Sequence, residues 1–320
     1  MKRLIFLVNP AAQSGQAAQI WQSFAKYLEQ SQLDYQVKIS KNAKDIYDWA
    51  YLWQKHDSAS STLVIFGGDG SLNEAVNGQL ATGVANIAPI AYIPAGSGND
   101  FARANHLLKD QQPAAIIPQL VAKIEQGLAT ELDIAQVFDR TQKTTEYFVN
   151  NLGIGFDAAT VAATNDSTIK RFLNYLHLGQ LAYFVTLFSV LRTQDTFGVT
   201  LRVDGKLVQM NKSYLLTFSN HPYFGGGVNI MPDADSTDGK LDLIVIEKNN
   251  MWQLLRTLVS VLKGKHYVLP EVHRYTADKY ELISPRLEFG HIDGEELGVH
   301  AFELELKSRK HQFFLLKEVE

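Results

Sequence analysis

A chain of 320 residues is too long for one ordinary hydrophobic core and comfortable for two domains; its 46% hydrophobic and 20% charged residues are the proportions of a folded protein, not a disordered one. A formal net charge of −4 argues against non-specific nucleic-acid binding, which draws on clustered Lys and Arg, so no nucleic-acid partner is expected. Zero cysteines exclude disulfides, thiolate zinc sites and a cysteine nucleophile, in keeping with a reducing cytoplasm.

Met1-Lys2-Arg3 opens like a signal peptide, but the apolar run behind it stops at Asn9-Pro10, so export is not expected. That run predicts a strand over 4–8. A helix near 15–31, a strand over 35–39, a helix near 43–55, a strand over 62–66, a helix near 71–79, a strand over 88–93 and helices near 99–107 and 113–127 follow. Such alternation is the pattern of a parallel sheet covered by helices on both faces. Beyond Leu132-Asp133-Ile134 the texture changes to short, often alternating runs at 135–137, 145–152, 200–203, 206–209, 213–219, 241–247, 279–283 and 287–290, with turn signals such as Val203-Asp204-Gly205-Lys206. The expected class is α/β: an N-terminal parallel-sheet nucleotide-binding domain over 1–133, then an antiparallel domain over 134–302, interrupted by helices near 168–192 and 250–262. The apolar stretch 172–191 contains Asn174, His177, Gln180 and Thr186, which makes a transmembrane helix a poor reading.

Three strand ends in the first half run into small residues. They are Asn9-Pro10-Ala11-Ala12-Gln13-Ser14-Gly15, then Phe66-Gly67-Gly68-Asp69-Gly70-Ser71-Leu72-Asn73-Glu74, then Pro94-Ala95-Gly96-Ser97-Gly98-Asn99-Asp100-Phe101-Ala102-Arg103. In an open α/β sheet such loops meet at the carboxyl ends of the strands, where backbone N–H groups surround a concavity that a phosphate can enter without meeting a Cβ. Asp69 among the glycines would repel a phosphate unless a cation or a transferable proton stood between them, as phosphoryl transfer provides. An acid in a glycine loop is expected to serve a metal and not the core. The three segments, in this order, resemble the diacylglycerol kinase catalytic family, which includes bacterial lipid kinases, sphingosine kinases and ceramide kinases. Gly-Gly-Asp-Gly alone also occurs in NAD kinases and phosphofructokinases; Gly96 to Arg103 tips the balance to the lipid kinases.

The resemblance implies an α/β nucleotide domain of NAD kinase/diacylglycerol kinase type paired with a C-terminal antiparallel β-sandwich, and magnesium-dependent transfer from ATP to a lipid hydroxyl. ATP would be held by Asn9, Pro10, Ala11, Ala12, Gln13, Ser40, Gly68, Asp69, Gly70, Ser71, Leu72, Asn73, Glu74, Gly96 and Ser97. Ser71 and Ser97 stand where threonine is commoner in the family and keep the hydroxyl. Gln13 stands where glycine is usual; at positive φ it would cost roughly 1 kcal/mol or send the loop along another path. Asp69 and Asp100 would organise the catalytic Mg2+ and its waters together with Glu295, and Glu295, in Ile292-Asp293-Gly294-Glu295-Glu296, would be the general base. On residues alone, Asp-Gly is also a favoured hairpin turn and Asp100 also a helix N-cap. Asp238 would bind a second, structural magnesium with the main-chain oxygens of Asp235 and Lys240, although the same segment reads equally as a polar loop before a strand.

The lipid side is written less clearly. Leu173, Leu176, Leu181, Phe184, Val185, Phe188 and Leu191, between Lys170-Arg171 and Arg192, form one apolar face; Trp252, Leu255, Leu258, Val259 and Leu262, ahead of Lys263, Lys265 and His266, form another. Faces of this kind suit adsorption to an anionic bilayer and equally suit core packing. The family's last strand returns to its first domain, so 303–320 is expected to do so. The expectation is a cytoplasmic enzyme, peripheral at the inner membrane face, with a lipid substrate such as diacylglycerol and transient membrane contact, a homodimer being left open. Two alternatives stay open: a soluble-substrate kinase of NAD kinase type, and a non-catalytic nucleotide-binding regulator of the same fold. Retention of Asp69, Asp100 and Glu295 argues against the regulator, which has no need of a base.

Overall fold

A computed structural model describes residues 2–107, 112–156, 158–159 and 191–317. The chain forms two compact units: unit 1 comprises Met1–Ile134, Tyr223–Gly227 and Arg309–Glu320, and unit 2 comprises Ala135–Pro222 and Val228–Ser308. The elements begin with β1 (Arg3–Val8), α1 (Gln16–Gln30), β2 (Tyr35–Ile39), α2 (Asp45–His56), β3 (Ser61–Gly67), α3 (Asp69–Leu80), β4 (Ile90–Pro94), α4 (Asp100–Ala104) and α5 (Pro113–Glu125). They continue with β5 (Thr130–Asp139), β6 (Thr144–Phe148), β7 (Asn151–Gly155), β8 (Phe197–Val203), β9 (Lys206–Ser219), β10 (Tyr223–Phe224), β11 (Val228–Asn229), β12 (Leu241–Glu247), α6 (Met251–Leu262), β13 (Val272–Ala277), β14 (Lys279–Ile292) and β15 (Glu295–Phe314).

In unit 1 the strands lie in the order β2-β1-β3-β4, each pair parallel. β3 is buried along its whole length, as a strand covered on both faces must be. On one face Leu4, Phe6, Val8, Val64 and Phe66 meet Trp21, Phe24 and Leu28 of α1 and Ile116, Ile117 and Leu120 of α5. The rings of Phe6, Trp21, Phe24 and Phe66 interlock with centroids 5.1 to 6.3 Å apart. Helices α2 and α3 pack on each other. The end of β15 belongs here: Phe313 and Phe314 pair parallel with Ile90 and Ala91 of β4. Lys310 meets the buried Asp133 carboxylate at 2.9 Å, and Lys123 donates to the Leu315 carbonyl at 2.8 Å.

Every pairing given for unit 2 is antiparallel. β9 pairs with β12 and β7 along its second half and with β8 along its first, and β14 likewise passes from β8 to β7. A strand that changes partner along its length folds the sheet over, and the inner residues, among them Phe148, Ile154, Phe197, Phe218, Tyr280 and Phe302, form one core.

Several element boundaries differ from the sequence expectation. Residues 145–152 are two strands, β6 and β7, separated at Val149-Asn150. The runs 206–209 and 213–219 are one strand, β9, and 279–283 and 287–290 are one strand, β14. Pro285 reads as a break because it lacks an N–H; the ladder absorbs it as an irregularity between Ser284 and Glu288. β13 and the first half of β15 were not anticipated; both are mostly exposed or half-buried, so no apolar run marks them. The helix expected near 168–192 and its apolar face lie outside the described residues as far as Val190. Among the described residues no helix is long and apolar enough to cross a membrane.

Candidate active site

Because β1, β3 and β4 are parallel neighbours, their carboxyl ends share one edge and their loops leave together. The Asn9 N–H donates to the Phe66 carbonyl at 2.9 Å, its side-chain Nδ2 donates to Ser71 Oγ at 3.0 Å, and its Oδ1 accepts the Ala11 N–H at 3.1 Å. Asn9 therefore pins the first loop to the start of α3. The Ser40 N–H donates to the Val8 carbonyl at 2.8 Å, which brings Ser40 to the same edge. The second and third loops press backbone on backbone: a Cβ on Gly96 would lie 2.6 Å from Gly68 Cα. No side chain fits there. Asn99, with φ of 49°, clasps Gly96 on both sides, accepting its N–H at 2.9 Å and donating to its carbonyl at 2.8 Å. Asn99 was not among the expected site residues, although an Asn three residues beyond a loop glycine is a familiar occupant of the left-handed region.

Within this frame Asp69 is the first residue of α3, two residues ahead of the expected helix start. Its Oδ2 accepts the Asp100 N–H at 3.0 Å and its Oδ1 the Phe101 N–H at 3.3 Å, so one carboxylate serves the N-terminus of α4. This corrects the expectation that Asp69 has no structural part. Asp100 is buried; its Oδ1 accepts from Arg103 Nη1 and its Oδ2 accepts the Gly226 N–H at 2.8 Å. Arg103 in turn lies over the Tyr223 ring, 5.5 Å from its centroid. The segment Tyr223–Gly227, far along the sequence, is thus part of the same unit and holds Asp100 in place. Nothing in the sequence pattern pointed to it except three consecutive glycines. The buried Tyr92 hydroxyl makes no hydrogen bond, and burial together with the Asp69 charge raises its pKa well above that of an ordinary tyrosine.

Pro10 and Ala11 lead into a tight turn over Ala12–Gly15. Gln13 takes up φ of 53° and ψ of 43°, and Ser14 follows at φ of 54°, so the left-handed conformation suited to glycine is kept with side chains in place. Gly70, Asn73 and Glu74 are partly exposed in α3, Ser97 is exposed in the third loop, and the Leu72 side chain is wholly buried, leaving only its backbone to the site.

In unit 2, Glu295 opens β15 after a two-residue turn in which Asp293 has φ of 48° and Gly294 φ of 86°, with Ile292 paired to Glu295. Both positive φ values are those of a type I′ hairpin, the turn that an Asp-Gly pair favours. The Asp293 carboxylate does more than close that turn. It accepts the N–H groups of Val149, Asn150 and Asn151 at 2.8, 2.9 and 2.8 Å, and its own N–H donates to the Asn151 carbonyl at 2.9 Å. The hairpin tip is thereby bolted to the β6–β7 turn, and this residue was passed over in favour of its neighbour. Glu295 and Glu296 are both exposed.

The acidic segment of unit 2 forms two side-chain turns: Asp238 Oδ1 accepts the Lys240 N–H at 2.9 Å, and Asp235 Oδ1 accepts the Thr237 N–H at 2.8 Å. Asp238 also borders a cavity of about 230 Å³ with Asp233, Asp242, Tyr267 and Arg274. Burial, then the charges of Asp238 and Asp233, raise the Asp242 pKa against the opposing Thr276 hydrogen bond. Among the described residues no cluster of three or more His, Cys, Asp or Glu is arranged around a metal position. The expected ligand set of one carboxylate and two carbonyls does not require one.

Residues 3–137 match the model of the diacylglycerol kinase catalytic domain, and residues 150–310 match that of the YegS C-terminal NAD kinase beta sandwich-like domain. The chain is 30% identical over 234 residues to a diacylglycerol kinase of Staphylococcus saprophyticus, covering 73% of this chain and 70% of that one. It belongs to the diacylglycerol kinase catalytic-domain family. It is also 24% identical over 306 residues to YtlR of Bacillus subtilis, covering 95% of this chain and 96% of that one. A crystal structure of a diacylglycerol kinase from Bacillus anthracis shares the fold, with a TM-score of 0.67 at 18% identity over 98% of this chain and 97% of that one. This diacylglycerol kinase family member is thus a phosphotransferase of lipid metabolism, with a catalytic α/β domain followed by the family's β-sandwich. Kinases of the family generally use ATP and Mg2+.

Proposed function

We propose that this chain transfers the γ-phosphoryl group of ATP to the hydroxyl of diacylglycerol or a related lipid, as a cytoplasmic enzyme visiting the inner membrane face. The observation that carries the reading is the loop edge of unit 1. There Gly68 and Gly96 meet without side chains, and α3 starts without a side-chain cap. Phosphate oxygens would meet the N–H groups around Gly68, Gly70 and Ser71, the hydroxyls of Ser71 and Ser97, and the turn from Asn9 to Gln13, with Ser40 beside it and Asn73 and Glu74 one turn into α3. Unit 1 would form the ATP-binding part and unit 2 the lipid part.

The donor set fits magnesium through water. Both Asp69 oxygens already accept α4 N–H groups, both Asp100 oxygens are engaged, and the Tyr92 hydroxyl in the field of Asp69 is buried without a partner. A hydrated hard cation suits such a set, because magnesium keeps several waters and takes few carboxylates directly. When bound, it would offset charge building on the phosphate oxygens. Glu295 would accept the proton of the acceptor hydroxyl as that oxygen attacks phosphorus, and Asp293 would fix the turn that carries it. A structural magnesium would take the Asp238 carboxylate with the main-chain oxygens of Asp235 and Lys240 in unit 2.

Incubation with labelled ATP, magnesium and a panel of lipids in mixed micelles tests the reading, with a phosphorylated lipid as the expected product. Label appearing only on a soluble dinucleotide would move the assignment to the NAD kinase type. ATP binding with no transfer to any acceptor would favour the regulator.

A further inference from the structure

Helix α6 has two apolar faces, and only one is used. Leu254, Thr257 and Val261 are buried in unit 2. At 100° per residue, Trp252, Leu255, Val259 and Leu262 fall within an arc of about 80° on the other side of the helix. Trp252 is 83% exposed, Val259 50% and Leu262 75%. The turn His266–Val268 packs against α6 and adds Val268, 85% exposed. Val268, Trp252 and Leu262 are the three most exposed large hydrophobics among the described residues, and they share one helix face and its adjoining turn. Single exposed leucines are ordinary, but a concentration of this kind marks an interaction surface.

We propose that this face of α6, with Val268, Lys263 and Lys265, is the surface through which the protein settles on an anionic lipid bilayer. The charge pattern selects that occupant. α6 contains no acidic residue, and exposed Lys263 and Lys265 follow it directly. Arg256 pairs with the buried Glu271 at 2.6 Å while its own side chain stays 58% exposed, so its charge is already balanced. An indole and aliphatic side chains enter the boundary between headgroups and acyl chains, while two ammonium groups meet lipid phosphates. A second copy of the chain would bring lysines and no acid from this helix. The inference rests on the lipid-kinase reading and names the surface by which that site would reach its substrate.

The test is co-sedimentation with phosphatidylcholine vesicles with and without phosphatidylglycerol. The unaltered protein should partition onto the anionic vesicles. Trp252→Ser combined with Leu262→Ser should lower partition tenfold or more, by roughly the apolar transfer that two large side chains supply, with an unchanged Tm. Lys263→Gln with Lys265→Gln should lower it by roughly tenfold on anionic vesicles only. Unchanged partition in both variants overturns the proposal. So does loss of a dimer in sedimentation velocity with vesicle binding intact, which would give the face to a second copy. Phosphorylation of a short-chain lipid dispersed as monomers separates the two readings. If it persists in variants that no longer sediment, the surface is supported. If the unaltered protein binds vesicles but phosphorylates no lipid, the surface stands and the kinase reading falls.

Discussion

The Asp69 carboxylate is bound into the fold through two α4 N–H groups, so the chemistry proposed for it has to be tested apart from that structural part. Asp69→Ala removes the acceptor for two α4 N–H groups, so it should cost about 1 kcal/mol of stability as well as turnover. Asp69→Asn keeps one acceptor oxygen and should restore most of the thermal stability while activity stays lost; an Asn variant with normal turnover would sink the magnesium role. For the base, Glu295→Gln should leave ATP binding intact and lower turnover by roughly 10² to 10⁴, whereas Glu296→Gln should remain near wild type, because neighbouring side chains on a strand point to opposite faces. The reverse result would shift the assignment by one residue. As candidates, Asp69, Asp100 and Glu295 were legible from the motifs that contain them. Asp293 and Asn99 were not, since their importance lies in backbone partners that only folding brings near: Val149, Asn150 and Asn151 stand more than 140 positions before Asp293.

At the scale of elements, the turn Ala12–Gly15 holds Gln13 in the left-handed region. Gln13→Gly should relieve roughly 1 kcal/mol of strain, partly offset by the greater freedom of glycine in the unfolded chain, and a small rise in urea midpoint would register the balance. The loop at Asp238 has a different test. If it holds a structural cation, magnesium should raise the Tm of the nucleotide-free protein and Asp238→Ala should abolish that rise, since a ligand bound only by the folded state stabilises it by mass action. An identical magnesium response in the variant returns the segment to a polar turn. The helices and parallel strands of unit 1 were readable because buried strands and amphipathic helices each keep one unbroken period. The long strands of unit 2 were not, because exposed polar positions and Pro285 interrupt their pattern without ending their hydrogen-bonded ladders.

Across the whole molecule, two buried histidines set an acid limit. Burial holds His221 and His311 down at about 4 against 6.5 for an ordinary histidine, while His221 Nε2 lies 2.7 Å from Asn150 Oδ1 and His311 Nε2 lies 3.2 Å from Gln79 Oε1. Above pH 6.5 neither folded nor unfolded chain protonates them, and their neutral contribution is complete. Between 6.5 and about 4 the unfolded chain takes up protons that the folded chain refuses, so stability falls as pH falls, by about 3 kcal/mol per histidine at the lower end. Urea unfolding at neutral and mildly acid pH should show this loss, and His311→Gln should reduce it; a pH-independent midpoint would contradict the assignment. A further consequence comes from the segment Tyr223–Gly227 and the strand end at Phe313 and Phe314. Unit 1 is assembled from three stretches of chain, the later two carrying the donor to Asp100, the partner of Asp133 and the neighbour of β4. On the ribosome the glycine loops are therefore made long before the later stretches that pack against their unit, and unit 1 can close only after residues beyond 309 have emerged.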